Sequence, residues 1–309
     1  MTTTTTARPV LVGVDGLPGS AGAVRYATAE AQRRRAPLQL VHVVPDFFSV
    51  GPPVPLSDLE RIGADILARE VDAVRRAAPD LEVTTVMPLG ERSTGIVKAA
   101  ESAQLVVIGR ETRHGIERLY TGTTTAAVAA HAPCDVVVVP SFWDGTHPRH
   151  RVVVGLKSRS HSAELLSQGL AEAMARDAAL VVVMAWQVPD PYFDRIELRT
   201  HADEWEAHGR EVIAEVTADW RTAYPDVTVE THVEHGPPTR VLLDASSGSD
   251  VLVVSRRRLA LPPYGRLGGV VHALLRLSDV PVHVVPYAAE DPRADSVDLV
   301  LEAAGAALK

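Results

Sequence analysis

Short apolar runs recur along the chain, and segments of helical spacing fill the gaps between them. In the first half the runs are Val10–Val14, Leu38–Val44, Leu81–Met87, Leu105–Gly109 and Val136–Val139, most of them rich in β-branched residues. Runs that stay apolar on both faces suit strands of a parallel sheet covered on each side, and the helical stretches between them supply the cover. The clearest helix is expected to open at "SDLE", a capping box from Ser57 to Glu60. It then carries Leu59, Ile62, Ile66, Val71 and Val74 as a ragged apolar stripe.

The same plan occurs twice. "PVLVGVDGLPGSAGAVRYATAEA" at Pro9 answers to "RVVVGLKSRSHSAELLSQGLAEA" at Arg151. "LEVTTVMPLGERSTGIVKAAESAQLVVIGR" at Leu81 answers to "VTVETHVEHGPPTRVLLDASSGSDVLVVSR" at Val227, and "APCDVVVVP" at Ala132 to "SDVPVHVVP" at Ser278. An internal repeat of this length makes two tandem domains of one architecture. The boundaries expected are 8–140 and 151–286, with Ser141–His150 as linker and 287–309 as a C-terminal extension beyond the repeat. Each half is expected to be an α/β domain with an open five-stranded parallel sheet and helices on both faces.

Composition narrows the classes of function. The 31 basic and 39 acidic residues give a net charge of −8, without the clustered basic surface that nucleic acid requires. No apolar stretch is long enough to span a membrane, and "MTTTTTARP" has no apolar leader core, so a cytoplasmic protein is expected. The one cysteine, Cys134, reads as a small buried side chain. The histidines are scattered and no metal site is expected.

In an open α/β sheet, ligands bind beyond the carboxyl ends of strands where the strand order reverses. Here that rule selects "VDGLPGS" after the first strand and "GRETRHGIERLYTGTT" after the fourth. Gly109 ends a strand without a side chain to block the groove. Gly122, Thr123 and Thr124 offer close approach, hydroxyl donors and the positive end of the following helix, which suits a phosphate chain. Asp15 is a carboxylate placed to accept from ribose hydroxyls or an amino group. No P-loop, dinucleotide fingerprint or nucleophile elbow is present.

Taken together these residues resemble the universal stress protein family in its tandem-domain form, over residues 8–286. The family loop G-x2-G-x9-G-[ST] falls on Gly109, Thr112, Gly122 and Thr123, with Thr112 departing from glycine. The family's strand-one aspartate falls on Asp15, just after Gly13, and its adenine-contacting position in strand two falls on Val43. The resemblance implies Rossmann-like domains of the adenine nucleotide alpha hydrolase-like type and ATP as ligand, with Mg2+ accompanying the nucleotide. It assigns Gly13, Asp15, Val43, Gly109, Arg110, Thr112, Gly122, Thr123 and Thr124 to the first-half site. It further implies a regulatory role in the stress response without catalysis, an unidentified protein partner, pairing of the last strands "VVVVP" and "VHVVP", and a homodimer.

The second half departs at the same positions. Lys157 replaces Asp15, Ser255 and Arg258 replace the loop glycines, and Gly268 and Gly269 remain. This half is expected not to take ATP. The run Arg256–Arg258 reads as a solvated loop or, with Lys157 and Arg266, as a pocket for another anion. A rival reading makes the chain a slow metal-dependent ATPase or a nucleotidyl-transferring enzyme, with Glu111, flanked by Arg110 and Arg113, as the candidate carboxylate in the loop. A third makes it a structural interaction module without ligand.

Overall fold

The computed structural model describes residues 7–46, 54–110, 118–145, 148–159, 162–256 and 267–286, with the backbone alone for 118–123. The chain forms two compact units, Met1–His147 with Pro281–Val284, and Pro148–Val280 with Val285–Lys309. No described helix is long and apolar enough to cross a membrane.

In the first unit the elements run β1 (Val10–Gly13), α1 (Ser20–Arg34), β2 (Leu38–Val41), α2 (Leu56–Ala77), β3 (Val83–Val86), α3 (Arg92–Ala99), β4 (Leu105–Gly109), α4 (Arg118–His131) and β5 (Asp135–Val139). The five strands are parallel, in the order β3-β2-β1-β4-β5. The order reverses at β1, which pairs with β2 on one side and β4 on the other. Alternation along the strands decides which helices each side chain meets. Val10, Val12, Leu38 and Leu40 join Ala23, Ala27, Ile66 and Val74 of α1 and α2 in one buried cluster. Val43, of opposite parity, lies against Gly95 of α3.

A last strand, β10 (Val282–Val285), runs antiparallel to β5 with Val282 opposite Val138, His283 opposite Val137 and Val284 opposite Val136. His283 is fully buried there, its Nε2 2.8 Å from Oδ2 of Asp135. The two closing strands therefore pair, and the apolar edge of β5 is covered.

The second unit contains β6 (Arg151–Leu156), α5 (Ser162–Arg176), β7 (Ala179–Trp186), α6 (Pro191–Thr200), α7 (Ala202–Ala223), β8 (Val229–His235), α8 (Pro238–Ser246), β9 (Val251–Ser255) and α9 (Gly269–Leu277). Its parallel strands follow the order β9-β6-β7-β8. The carbonyl of Val285 accepts from Arg256 N at 3.1 Å, as Val139 accepts from Arg110 N at 2.8 Å in the first unit. The α/β class and the twofold plan are thus as the sequence pattern predicts.

Several local expectations are corrected. The capping box at Ser57 does not form, because Pro55 begins α2 earlier, its carbonyl accepting from Asp58 N at 3.0 Å and Leu59 N at 3.3 Å. Gly63, Ile66, Leu67 and Val74 make the buried face of α2, and Ile62 points outward, 47% exposed. Helix α4 starts at Arg118, a turn before Gly122, since nothing from Arg118 to Tyr120 interrupts helical backbone. Cys134 is half-buried, not buried: it stands on the approach to β5, with Sγ 3.8 Å from the Ala100 carbonyl. Residues 141–145 are packed onto α1. Trp143 lies edge-on to Tyr26 with ring centres 5.1 Å apart, and its carbonyl accepts from Arg25 at 2.7 Å.

Candidate functional site

A cavity of about 330 Å³ opens beyond the carboxyl ends of β1, β2 and β4. Six of the residues selected from the sequence line it: Gly13, Asp15, Val43, Gly109, Arg110 and Thr124. Gly122 and Thr123 lie in α4 just ahead of Thr124, and Thr112 and Glu111 fall outside the described residues.

Local chemistry explains each position. After β1 the chain turns through Gly16 at φ +75°, a left-handed conformation that glycine adopts without strain. A Cβ at Gly16 would also meet Ile66 of α2 at 2.8 Å. Asp15 holds this turn by accepting from Leu17 N through Oδ1 at 3.0 Å. Its Oδ2 has no partner among the described residues, so one carboxylate oxygen remains for a donor in the cavity. Gly109 lies directly beneath the start of α1. A Cβ there would stand 2.8 Å from the Gly19 carbonyl oxygen, which is why a strand end rich in valine and isoleucine finishes on glycine. Arg110, next in the chain, sets its guanidinium 5.8 Å from the centre of the Phe142 ring, a cation–π contact.

His42 and Arg92 complete the polar lining. His42 points Nδ1 at the Val14 carbonyl, 2.9 Å away, which makes Nδ1 the protonated nitrogen. Arg92 opens α3, directly after Glu91. The Glu91 carboxylate caps that helix, accepting from Ser93 N at 2.9 Å, Thr94 N at 2.7 Å and both hydroxyls. Burial works to raise the Glu91 pKa, but these hydrogen bonds outweigh it and bring it down to about 2. On α2, burial raises the pKa of Glu70, the charge of Arg69 opposes that, and Asp15 adds to it. Sequence reasoning missed Arg92. The signal was available, since a cation in the first turn of a helix opposes the dipole there.

The second unit finishes its strand ends differently. Lys157 and Ser255 stand where Asp15 and Gly109 do, Gly268 (φ +71°) caps α9, and Arg257, Arg258 and Arg266 lie outside the described residues. Beyond β7 and β8, Asp194 of α6 is buried. It accepts from Val188 N at 2.9 Å and lies 2.9 Å from His235 Nε2. Burial works to raise the Asp194 pKa, but hydrogen bonds from His235, Val188 and Gln187 hold it below the usual aspartate value. Trp186 stacks on Trp205 with centres 5.5 Å apart and meets His235 edge-on at 4.5 Å. Among the described residues of either unit no three His, Cys, Asp or Glu side chains stand together as a metal site.

The family model described as "Universal stress protein family" matches residues 6–140 and again 148–286. A universal stress protein of Mycolicibacterium smegmatis is 28% identical over 294 residues, covering 89% of this chain and 96% of the relative. One from Mycobacterium tuberculosis is 28% identical over 292 residues, covering 89% and 96%. Among solved structures, a universal stress protein from Archaeoglobus fulgidus covers 93% of this chain and 98% of its own, with a TM-score of 0.69 at 16% identity, a likeness of fold.

Proposed function

The chain belongs to the universal stress protein family, and on that footing we propose that its first repeat binds ATP in the cavity beyond β1, β2 and β4. Family membership carries a role in the stress response. The finer reading is that the bound nucleotide sets association with partners and that no reaction is catalysed. The observation that supports it is the convergence of Gly13, Asp15, Val43, Gly109, Arg110 and Thr124 on one cavity from four separate segments.

In this reading the base lies against Val43, and a ribose hydroxyl donates to the open oxygen of Asp15. The phosphates run past Gly109, where the lack of a side chain permits close approach, towards α4. A helix keeps its unpaired N–H groups in its first four residues, so residues 118–121 supply amides while Thr123 and Thr124 supply hydroxyls from the next turn. Arg110 adds a countercharge. Mg2+ enters with the phosphates as their counter-ion. The reading makes residues 8–140 the nucleotide domain and 151–286 a domain that does not take ATP. It has the chain act in the cytoplasm as a homodimer.

Denaturing the purified protein and quantifying released adenine nucleotide, beside a Gly122→Asp variant, tests this. Close to one nucleotide per chain is expected, lost in the variant because a carboxylate would face the phosphates. Two per chain would overturn the silence of the second repeat. None, with no uptake of added ATP, would overturn the reading.

A further inference from the structure

We propose that Arg92 is the specificity residue that makes the first-repeat cavity prefer a phosphorylated nucleoside to the bare nucleoside. The proposal rests on the nucleotide reading above and concerns a residue outside the loop pattern that led to it. Arg92 lines the same cavity as Gly109, Arg110 and Thr124. It sits on the first turn of α3, a helix packed along α4, so it belongs to the wall that carries the hydroxyls of Thr124 and Thr125.

Three observations favour a ligand role for Arg92 over a role in the fold. First, a cation at the start of a helix meets the positive end of the dipole, an unfavourable placement unless an anion answers it. The neighbouring Glu91 carboxylate directs its oxygens at two amides and two hydroxyls of its own helix and not at the Arg92 guanidinium. Second, Arg92 makes no hydrogen bond or ion pair among the described residues, whereas Arg110 stands over the Phe142 ring. Third, the second repeat builds the matching helix without it. "GER" at Gly90–Arg92 corresponds to "GPP" at Gly236–Pro238, and Pro238 opens α8 at its first position. Proline suits that position because its N–H would be unpaired anyway. An unpaired guanidinium on a cavity wall, placed against a helix dipole and dispensable to the helix, calls for an anion from the ligand. Its fork of donors fits phosphate oxygens.

The test is isothermal titration of the full chain with ATP, AMP and adenosine, on the natural protein and on Arg92→Gln and Arg92→Pro. The proline variant borrows the second repeat's own residue, and Glu91 already has the extended backbone that a following proline needs (φ −75°, ψ 135°). Thermal melting then verifies that the variants fold. The expected result is that both substitutions weaken ATP and AMP about tenfold and leave adenosine unchanged, the loss of one charge-assisted contact. Arg92→Lys should recover part of the affinity. Equal weakening of adenosine would make Arg92 a shaper of the cavity and overturn the proposal, as would unchanged ATP affinity. Failure of the natural protein to bind any of the three would overturn the nucleotide reading as well.

Discussion

The two repeats share a scaffold and differ in what they do with the polar groups at their strand ends. Gly13 and Gly155 each sit beneath a pair of aliphatic side chains, Ile108 and Ile96 in one repeat, Val254 and Leu242 in the other. Gly63 of α2 and Gly209 of α7 each let a helix press onto its sheet. Above this common base the first repeat leaves Asp15 and Arg92 with unused bonding capacity around an open cavity. The second directs Asp194 at His235 and Val188 and stacks Trp186 on Trp205, with the Trp186 Nε1 buried and without a hydrogen-bond partner among the described residues. His42, on the rim of the cavity, has Met184 as its counterpart, since Gly13 pairs with Val41 just before His42 as Gly155 pairs with Val183 just before Met184. Polar groups that satisfy one another stabilise the fold, and groups left unsatisfied at a surface cavity stay available to a ligand.

The sharpest way to break this comparison is to remove the acid at the centre of the second repeat. Asp194→Ala strands at least two donors beyond β7 and β8 and should lower the stability of that repeat by about 3 kcal/mol, read from urea unfolding. The same knot should weaken in acid. Because the Asp194 pKa is lowered in the folded state, its contribution is complete above the unfolded aspartate pKa of about 4 and is lost as pH falls through the folded value. An unfolding series that showed no such acid loss would remove the contrast.

A smaller effect is expected from trading the residues that end β4 and β9. Gly109→Ser gives the first repeat the second repeat's residue, but the new Cβ meets the Gly19 carbonyl at 2.8 Å. The start of α1 must move, at a cost of about 1–3 kcal/mol. Nucleotide affinity should fall with it. The reverse change, Ser255→Gly, should cost less than about 1 kcal/mol. Equal melting shifts for the two variants would show that the close approach at Gly109 is not a distinguishing feature.

The smallest expected effect concerns how the helices after β3 and β8 begin. Glu91→Ala removes the cap of α3 and should cost about 1 kcal/mol at neutral pH, whereas α8 starts on prolines and has no such cap to lose. The folded pKa of Glu91 is about 2, below its ordinary value of 4.5, so the cap is intact above pH 4.5 and fades between there and pH 2. The Ala variant should converge on the parent protein in that range, and stability that stayed separated down to pH 2 would exclude the cap as the cause.

What could be read from the sequence followed from how local each signal is. Leu105–Gly109 is a strand between the limits the pattern assigns, because five successive residues share one preference and no competing turn chemistry. Leu38–Val44 is regular only to Val41, since beyond it the chain leaves the ladder to form the cavity rim, apart from a single bridge between Val44 and Leu89. Glycines and Asp15 could be gathered into a site because the switch-point rule depends on strand order alone. Arg92 left only the weak signal of a cation in a first helical turn, since a charge on an amphipathic stretch ordinarily reads as solvated surface. The pairing of Asp194 with His235 joins residues from different elements and leaves no periodic trace. Ile62 fits a stripe yet faces outward, because a helix at the side of a sheet buries only a narrow face.

The antiparallel seam between β5 and β10 also bears on the order of events at the ribosome. The first unit is finished by Pro281–Val284, which emerge after Pro148–Val280 of the second unit. At translation rates of about 5–20 residues per second, the valine edge of β5 waits roughly 7–30 s for its closing strand. During that interval the nascent chain presents an open sheet edge to every neighbour, including a second copy on the same message. A stop anywhere before residue 281 would release a first repeat with that edge uncovered.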